Sequence, residues 1–216
     1  YESAYSLRVL DQDGKIENLN LLGEEPSWSP DEKKILYSSP QIDKNYRSTM
    51  QIHLLSLDKK DKDGEYETKK LTRQGNNISA KFSPDGTKIV FLSNRDLYAD
   101  YPTMGGYCFE LYTMNPDGTD QNRLSYFLMP MIDEIKELIK NKKWDELSDY
   151  STLYPYWSPD GKYIAFSSSI ALDKDINYGN GRKLDQDIYI IDSNGKNVKK
   201  LTPFSYQNDR YPVWSK

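Results

Sequence analysis

One short phrase recurs along this chain and limits what it can fold into. It reads Trp28-Ser29-Pro30-Asp31, Phe82-Ser83-Pro84-Asp85-Gly86 and Trp157-Ser158-Pro159-Asp160-Gly161, and it returns clipped as Trp214-Ser215. Each of the first three copies leads into a β-type run: Ile35-Leu36-Tyr37, Ile89-Val90-Phe91 and Ile164-Ala165-Phe166. Within the phrase, proline presets φ, aspartate caps the turn through its side chain, and glycine takes the position with φ above zero. Self-similarity at this spacing marks a repeat architecture. Recurrence assigns Trp28, Phe82, Trp157 and Trp214 to packing between units. It likewise makes Asp31, Asp85 and Asp160 turn residues rather than catalytic carboxylates. The first copy carries Glu32 where the others have Gly86 and Gly161, which points to a looser or differently typed turn.

Each repeat reads as four strands, a to d. Strand c follows as Gln51-Ile52-His53-Leu54-Leu55, Glu110-Leu111-Tyr112-Thr113-Met114 and Asp187-Ile188-Tyr189-Ile190-Ile191. Hairpin signals come next, at Asp63-Gly64, Pro116-Asp117-Gly118 and Ser193-Asn194-Gly195. Strand d ends in Leu71-Thr72, Leu124-Ser125 and Leu201-Thr202. A c–d hairpin, with its turn at Asp13-Gly14, precedes the first full unit, and a lone strand a at Tyr211-Pro212-Val213-Trp214 follows the third. Four-stranded units in series are the blades of a β-propeller. The expectation is therefore an all-β propeller with three complete repeats and partial flanking blades. Residues 1–25 form a partial blade, 26–78 and 79–125 two blades, 126–153 a helical insertion, 154–203 a third blade and 204–216 the start of another. The last strand either joins the first hairpin in a defective blade or belongs to a longer ring. The stop in mid-motif, and a start at Tyr1 rather than Met, favour an excerpt of a longer or processed protein.

The pattern Pro-x-Trp-Ser-Pro-Asp-Gly-Lys-x-Ile-Ala-Phe, with its later Ile-Tyr, Asn-Gly and Leu-Thr, resembles the TolB-type propeller repeat and lacks the WD-repeat signature. It covers Pro26 to Thr72, Ser79 to Ser125 and Pro155 to Thr202. The resemblance implies a periplasmic or otherwise extracytoplasmic, non-enzymatic scaffold for protein–protein interaction in a bacterial envelope. Related repeats gate prolyl-oligopeptidase-type serine peptidases, so an alternative is such a propeller with its catalytic domain outside this chain. A weaker alternative is a carbohydrate-binding propeller that uses loop tyrosines as stacking platforms for a glycan or other small ligand.

Charge and composition remove other classes. The net charge is −4 and opposite signs are interleaved, with no basic stripe for nucleic acid. No apolar run approaches the ~18 residues of a transmembrane helix. Cys108 is the single cysteine, which excludes an internal disulfide, and His53 is the single histidine. Without a Gly-x-Ser-x-Gly elbow or a second histidine, neither a catalytic triad nor a His-rich metal site can be assembled. No cofactor is expected. Asp173, Asp175 and Asn177 alternate like calcium ligands, but Gly179 stands one place late and Leu184 occupies the position of the bidentate glutamate. A polar loop is the stronger reading there, and a hairpin turn the stronger one at Asp61-Lys62-Asp63-Gly64.

The two faces of such a propeller differ. The a–b and c–d turns are tight, whereas the b–c connections at 40–50, 94–108 and 169–186 are long. The same long-loop face carries the insertion. There Met131, Ile132, Ile135, Leu138 and Ile139 form a helical stripe, and a second short helix over 143–149 packs Trp144 and Leu147 back. The insertion is either a cover or a docking element. Binding residues are sought in these connections: Tyr46, Arg47, Arg95, Tyr98, Tyr101, Trp144, Tyr178, Arg182 and Arg210.

Overall fold

Ile89–Ser93, strand b of the second repeat, is buried at every position. A strand between two packed sheets has no solvent face, so it must be apolar throughout. Successive side chains point to opposite faces. Ile89 and Phe91 therefore join Leu36, Ile52 and Leu54 of the first repeat. Val90 and Leu92 join Ile164, Phe166 and Ile191 of the third. The core is thus a series of clusters between neighbouring sheets.

The computed structural model describes residues 6–42, 48–98, 108–147, 152–169, 186–202 and 209–215. A two-stranded hairpin comes first, β1 (Ser6–Leu10) with β2 (Ile16–Leu22). Three four-stranded antiparallel meanders follow. The first is β3 (Glu24–Trp28), β4 (Lys34–Ile42), β5 (Ser48–Lys60) and β6 (Tyr66–Lys70). The second is β7 (Asn77–Phe82), β8 (Ile89–Ser93), β9 (Glu110–Met114) and β10 (Asn122–Arg123). The third is β11 (Thr152–Trp157), β12 (Tyr163–Ser168), β13 (Asp187–Asp192) and β14 (Lys199–Lys200). The innermost strands β3, β7 and β11 lie side by side in that order, and the architecture is a β-propeller. The hairpin β1–β2 seats Leu7 and Leu19 on Ile35, Tyr37 and Leu55 of the first full blade.

The recurring phrase builds the same turn three times. Ser29, Ser83 and Ser158 each donate their hydroxyl to the aspartate two residues on, at 2.5, 2.6 and 2.7 Å. The same hydroxyls accept the backbone N–H of Lys34, Lys88 and Tyr163, each at 2.9 Å. Glu32 does not loosen the first copy. It adopts φ 57° where Gly86 and Gly161 have 71° and 70°, and its N–H still reaches the Ser29 carbonyl at 3.0 Å. The Ser–Asp network dictates the conformation and the side chain tolerates it. The Leu-Thr/Ser ends are explained in the same way. The hydroxyls of Thr72, Ser125 and Thr202 accept the N–H of Ile52, Leu111 and Ile188 and donate to Gln51, Glu110 and Asp187 on strand c.

One reading of length needs correction. The first b–c connection is not long: β4 and β5 run on through the pairs Pro40–Met50 and Ile42–Ser48, leaving only 43–47 between them. Pro40 reads as a strand end, but β3 stops pairing at Ser38, so Pro40 has one neighbour strand and its missing N–H costs little. Conversely, the outer strands β10 and β14 are only two residues long. The c–d turns lean onto the preceding blade, where a Cβ on Gly118 or Gly195 would stand 3.1 or 2.5 Å from the carbonyl oxygens of Leu71 or Leu124.

The insertion begins with a 3₁₀ turn (Met129–Met131), then α2 (Ile132–Lys140) and a single turn α3 (Trp144–Leu147), after the one-turn helix α1 (Arg95–Tyr98) of the preceding connection. Asp133 and Glu134 start α2 and Lys140 ends it, in accord with the helix dipole. Ile135, Leu138, Ile139 and Leu147 form a separate core with Leu97, Cys108 and Leu128.

Candidate functional site

The long-loop face holds fewer describable residues than the sequence singles out. Tyr46, Arg47, Tyr101, Tyr178 and Arg182, the calcium candidates Asp173, Asp175 and Asn177, and the side chain of Tyr98 lie outside the described residues. Arg95, Trp144 and Arg210 are described and occupy three different neighbourhoods. Arg95 is spent within the fold: Nε donates to Ser93 Oγ at 2.9 Å, Nη1 to Gln121 Oε1 at 2.7 Å and Nη2 to Asn77 Oδ1 at 2.9 Å. Its plane also covers Tyr112 at 4.8 Å, so it ties β7, β8, β9 and the turn before β10 together within the second blade rather than standing free for a partner. Trp144 packs on the insertion's own core. Arg210 is exposed, and its charge acts on Tyr154 of β11.

Beneath the insertion, the start of β9 and the end of β10 assemble a dense polar group. Glu110 is buried, and Arg123 reaches it through Nη2 at 2.8 Å. Arg123 Nη1 donates to Asp96 Oδ2 at 2.7 Å, and Nε donates to the Ser125 carbonyl at 2.6 Å. Glu110 also accepts the Ser125 hydroxyl and the Leu128 N–H, the latter at 2.8 Å. The Tyr112 hydroxyl donates to Asp96, and burial drives its ionisation far above the usual phenol range. The Leu128 bond ties the insertion's first residues to the blade. Beside this group lies a cavity of about 170 Å³, with Leu97, Leu128, Met129 and Ile132 as apolar lining and Lys136 of α2 contributing a cation. Cys108, another lining residue, has its thiol pushed up to about 12, first by burial and then by Glu110, so it is wall rather than nucleophile.

A second constellation escaped the sequence reading. Three residues before each Trp or Phe of the phrase, the backbone is left-handed: Glu25, Ser79, Tyr154 and Tyr211 have φ 52°, 55°, 55° and 58°. In β3, β7 and β11 the pairing register shifts at the same place, which marks a β-bulge in every inner strand. The bulges turn these side chains toward one another. The Glu25 carboxylate accepts the Ser79 N–H at 2.8 Å and its hydroxyl at 2.9 Å. The Tyr154 and Tyr211 hydroxyls are bonded at 3.2 Å, with ring centroids 4.1 Å apart. Burial and the Tyr211 bond raise Tyr154 to about 12. Lys81 is lowered by burial, against the pull of Glu25. This row can present hydrogen-bonding and aromatic surface, but it contains no nucleophile–base pair. Nothing in the residue types signals the bulge: the position reads Glu, Ser, Tyr and Tyr in the four copies, and the position before it varies as much. His53 offers no chemistry either, since its ring lies 5.4 Å from Tyr37 on the paired strand and burial lowers its basicity. Among the described residues no cluster of histidine, cysteine and carboxylates could hold a metal ion.

No protein-family model and no curated protein matches the chain. Solved structures do. A TolB-type protein from Agrobacterium tumefaciens aligns with a TM-score of 0.59 at 23% identity, over 90% of this chain and 55% of that one. TolB from Acinetobacter baumannii aligns at 0.56 and 20% identity, over 94% of this chain and 39% of that one. A chain of a nidogen–laminin complex aligns at 0.53 and 11% identity, over 90% and 56%. The chain thus has a TolB-like β-propeller fold and spans about half the length of these structures or less.

Proposed function

We propose that this chain is a non-enzymatic propeller scaffold that docks a protein partner on its long-loop face, in an extracytoplasmic compartment of a bacterium. The observation that carries this reading is the insertion itself. It is anchored to the second blade through Leu128 and a core of its own, and it leaves Tyr126 and Met129 at its base 62% and 52% exposed. A rigid platform with large, exposed, amphipathic side chains is what protein hot spots require. Arg123 holds the Tyr126 ring from beneath at 4.4 Å, which lowers the entropy lost on contact. The TolB-like fold supports the scaffold role, and the resemblance of the repeat supports the compartment.

A photo-crosslinking residue placed at Tyr126 or Met129, and as control at Tyr163 beside the tight-turn face, tests this in bacterial cells producing the protein. Adducts of one defined mass from the first two positions and none from Tyr163 support the reading. Equal adducts from all three, or none from Tyr126 and Met129, overturn it.

A further inference from the structure

The cavity under the insertion combines charge and apolar lining in a specific balance. Glu110 and Arg123 neutralise one another, and both Glu110 oxygens are occupied by Arg123, Ser125 and Leu128. Two lining charges are less committed. Asp96 shares Oδ2 between Arg123 and Tyr112, and its side chain is 47% exposed. Lys136 projects from α2 and has no ion pair among the described residues. The four lining charges sum to zero. A ligand bearing a single charge would therefore leave one charge uncompensated in a partly desolvated space, whereas one bearing both signs would not. Leu97, Leu128, Met129 and Ile132 supply the surface for an apolar body. At about 170 Å³ the space is well below that of a site for a drug-sized molecule or an oligosaccharide.

We propose that this cavity binds an apolar α-amino acid as its zwitterion. The ammonium is held at Asp96, the carboxylate at Lys136, and the side chain lies against Leu97, Leu128, Met129 and Ile132. The site adjoins the docking face, sharing Met129 with it, whereas the exposed Tyr126 is not part of the cavity lining.

Isothermal titration of the purified chain with L-phenylalanine, 3-phenylpropionate and phenethylamine tests it. Phenylalanine is expected to bind, and each analogue, lacking one charged contact, to bind about tenfold more weakly or worse. Lys136→Gln, at a partly exposed position and with its fold checked by circular dichroism, should weaken phenylalanine and leave phenethylamine unchanged. Ile132→Trp should fill the cavity and abolish binding. The proposal is overturned if phenylalanine gives no heat up to its solubility limit, if 3-phenylpropionate binds equally well, or if folded Lys136→Gln binds phenylalanine as the parent does.

Discussion

The indole Nε1 of Trp157 donates to the backbone carbonyl of Lys81 in the preceding blade, at 3.3 Å. The relationship repeats one blade on, where Trp214 donates to the carbonyl of Tyr156 at 3.2 Å. In both cases the acceptor stands immediately before the aromatic residue of the preceding repeat, so the phrase encodes a step from blade to blade. The step reaches Trp214 although residues 209–215 form no strand. Phe82 occupies the same place without a donor, and Trp28 is 47% exposed.

Trp157 lets the two parts of that step be separated. Trp157→Phe keeps most of the packing, as Phe82 does, and loses one hydrogen bond, at a cost of roughly 1 kcal/mol. Trp157→Ala also leaves a cavity against the cluster of the second and third blades and should cost about 3 kcal/mol. Urea unfolding of the two variants and the parent measures both. Equal losses would mean that packing contributes nothing beyond the bond.

Glu32 gives a prediction of opposite sign. It holds φ 57° in a turn where the other copies use glycine, and a left-handed non-glycine residue costs roughly 1–2 kcal/mol. Glycine adds back some unfolded-state entropy. Glu32→Gly should therefore stabilise the chain by about 0.5–1 kcal/mol in the same urea experiment, whereas Gly161→Glu should destabilise it.

How far the sequence could be read follows from such positions. The turns were legible because serine, proline, aspartate and glycine each have a local physical reason to be there, and the strands because β8 and its counterparts are apolar on both faces. The inner-strand bulges were not. Glycine or asparagine would have announced a left-handed residue, but Glu25, Ser79, Tyr154 and Tyr211 are placed there by blade packing, not by propensity. Likewise, nothing local distinguishes Arg95 as a free loop cation from Arg95 as a clasp, since its partners Asn77 and Gln121 lie 18 and 26 residues away along the chain.

His53 should dominate the chain's pH response near neutrality, because it is the only histidine. Its folded pKa is lowered, first by burial and then by Lys70. Just below the ordinary histidine value of ~6.5 the unfolded chain therefore binds the proton and the folded chain does not. Stability should fall as pH drops from 7.5 to 5.5. His53→Phe, which keeps an aromatic ring against Tyr37, should flatten that dependence. Urea midpoints at the two pH values decide it, and an equal fall in both proteins would assign the response elsewhere.

The insertion should behave as a cooperative unit of its own. Its core is distinct from the inter-blade clusters, and the two meet mainly at Phe127, whose ring stacks on Phe166 with centroids 5.3 Å apart. Ile135→Ala removes a fully buried side chain from that local core and should cost roughly 2–4 kcal/mol of the insertion's stability. Amide hydrogen exchange should then accelerate across α2 and α3 by about two orders of magnitude while β8 and β12 keep their protection. Accelerated exchange in those central strands would make the insertion part of the propeller core. In that event its removal would unfold the blades, and a docking role could be tested only by surface substitutions at Tyr126 and Met129.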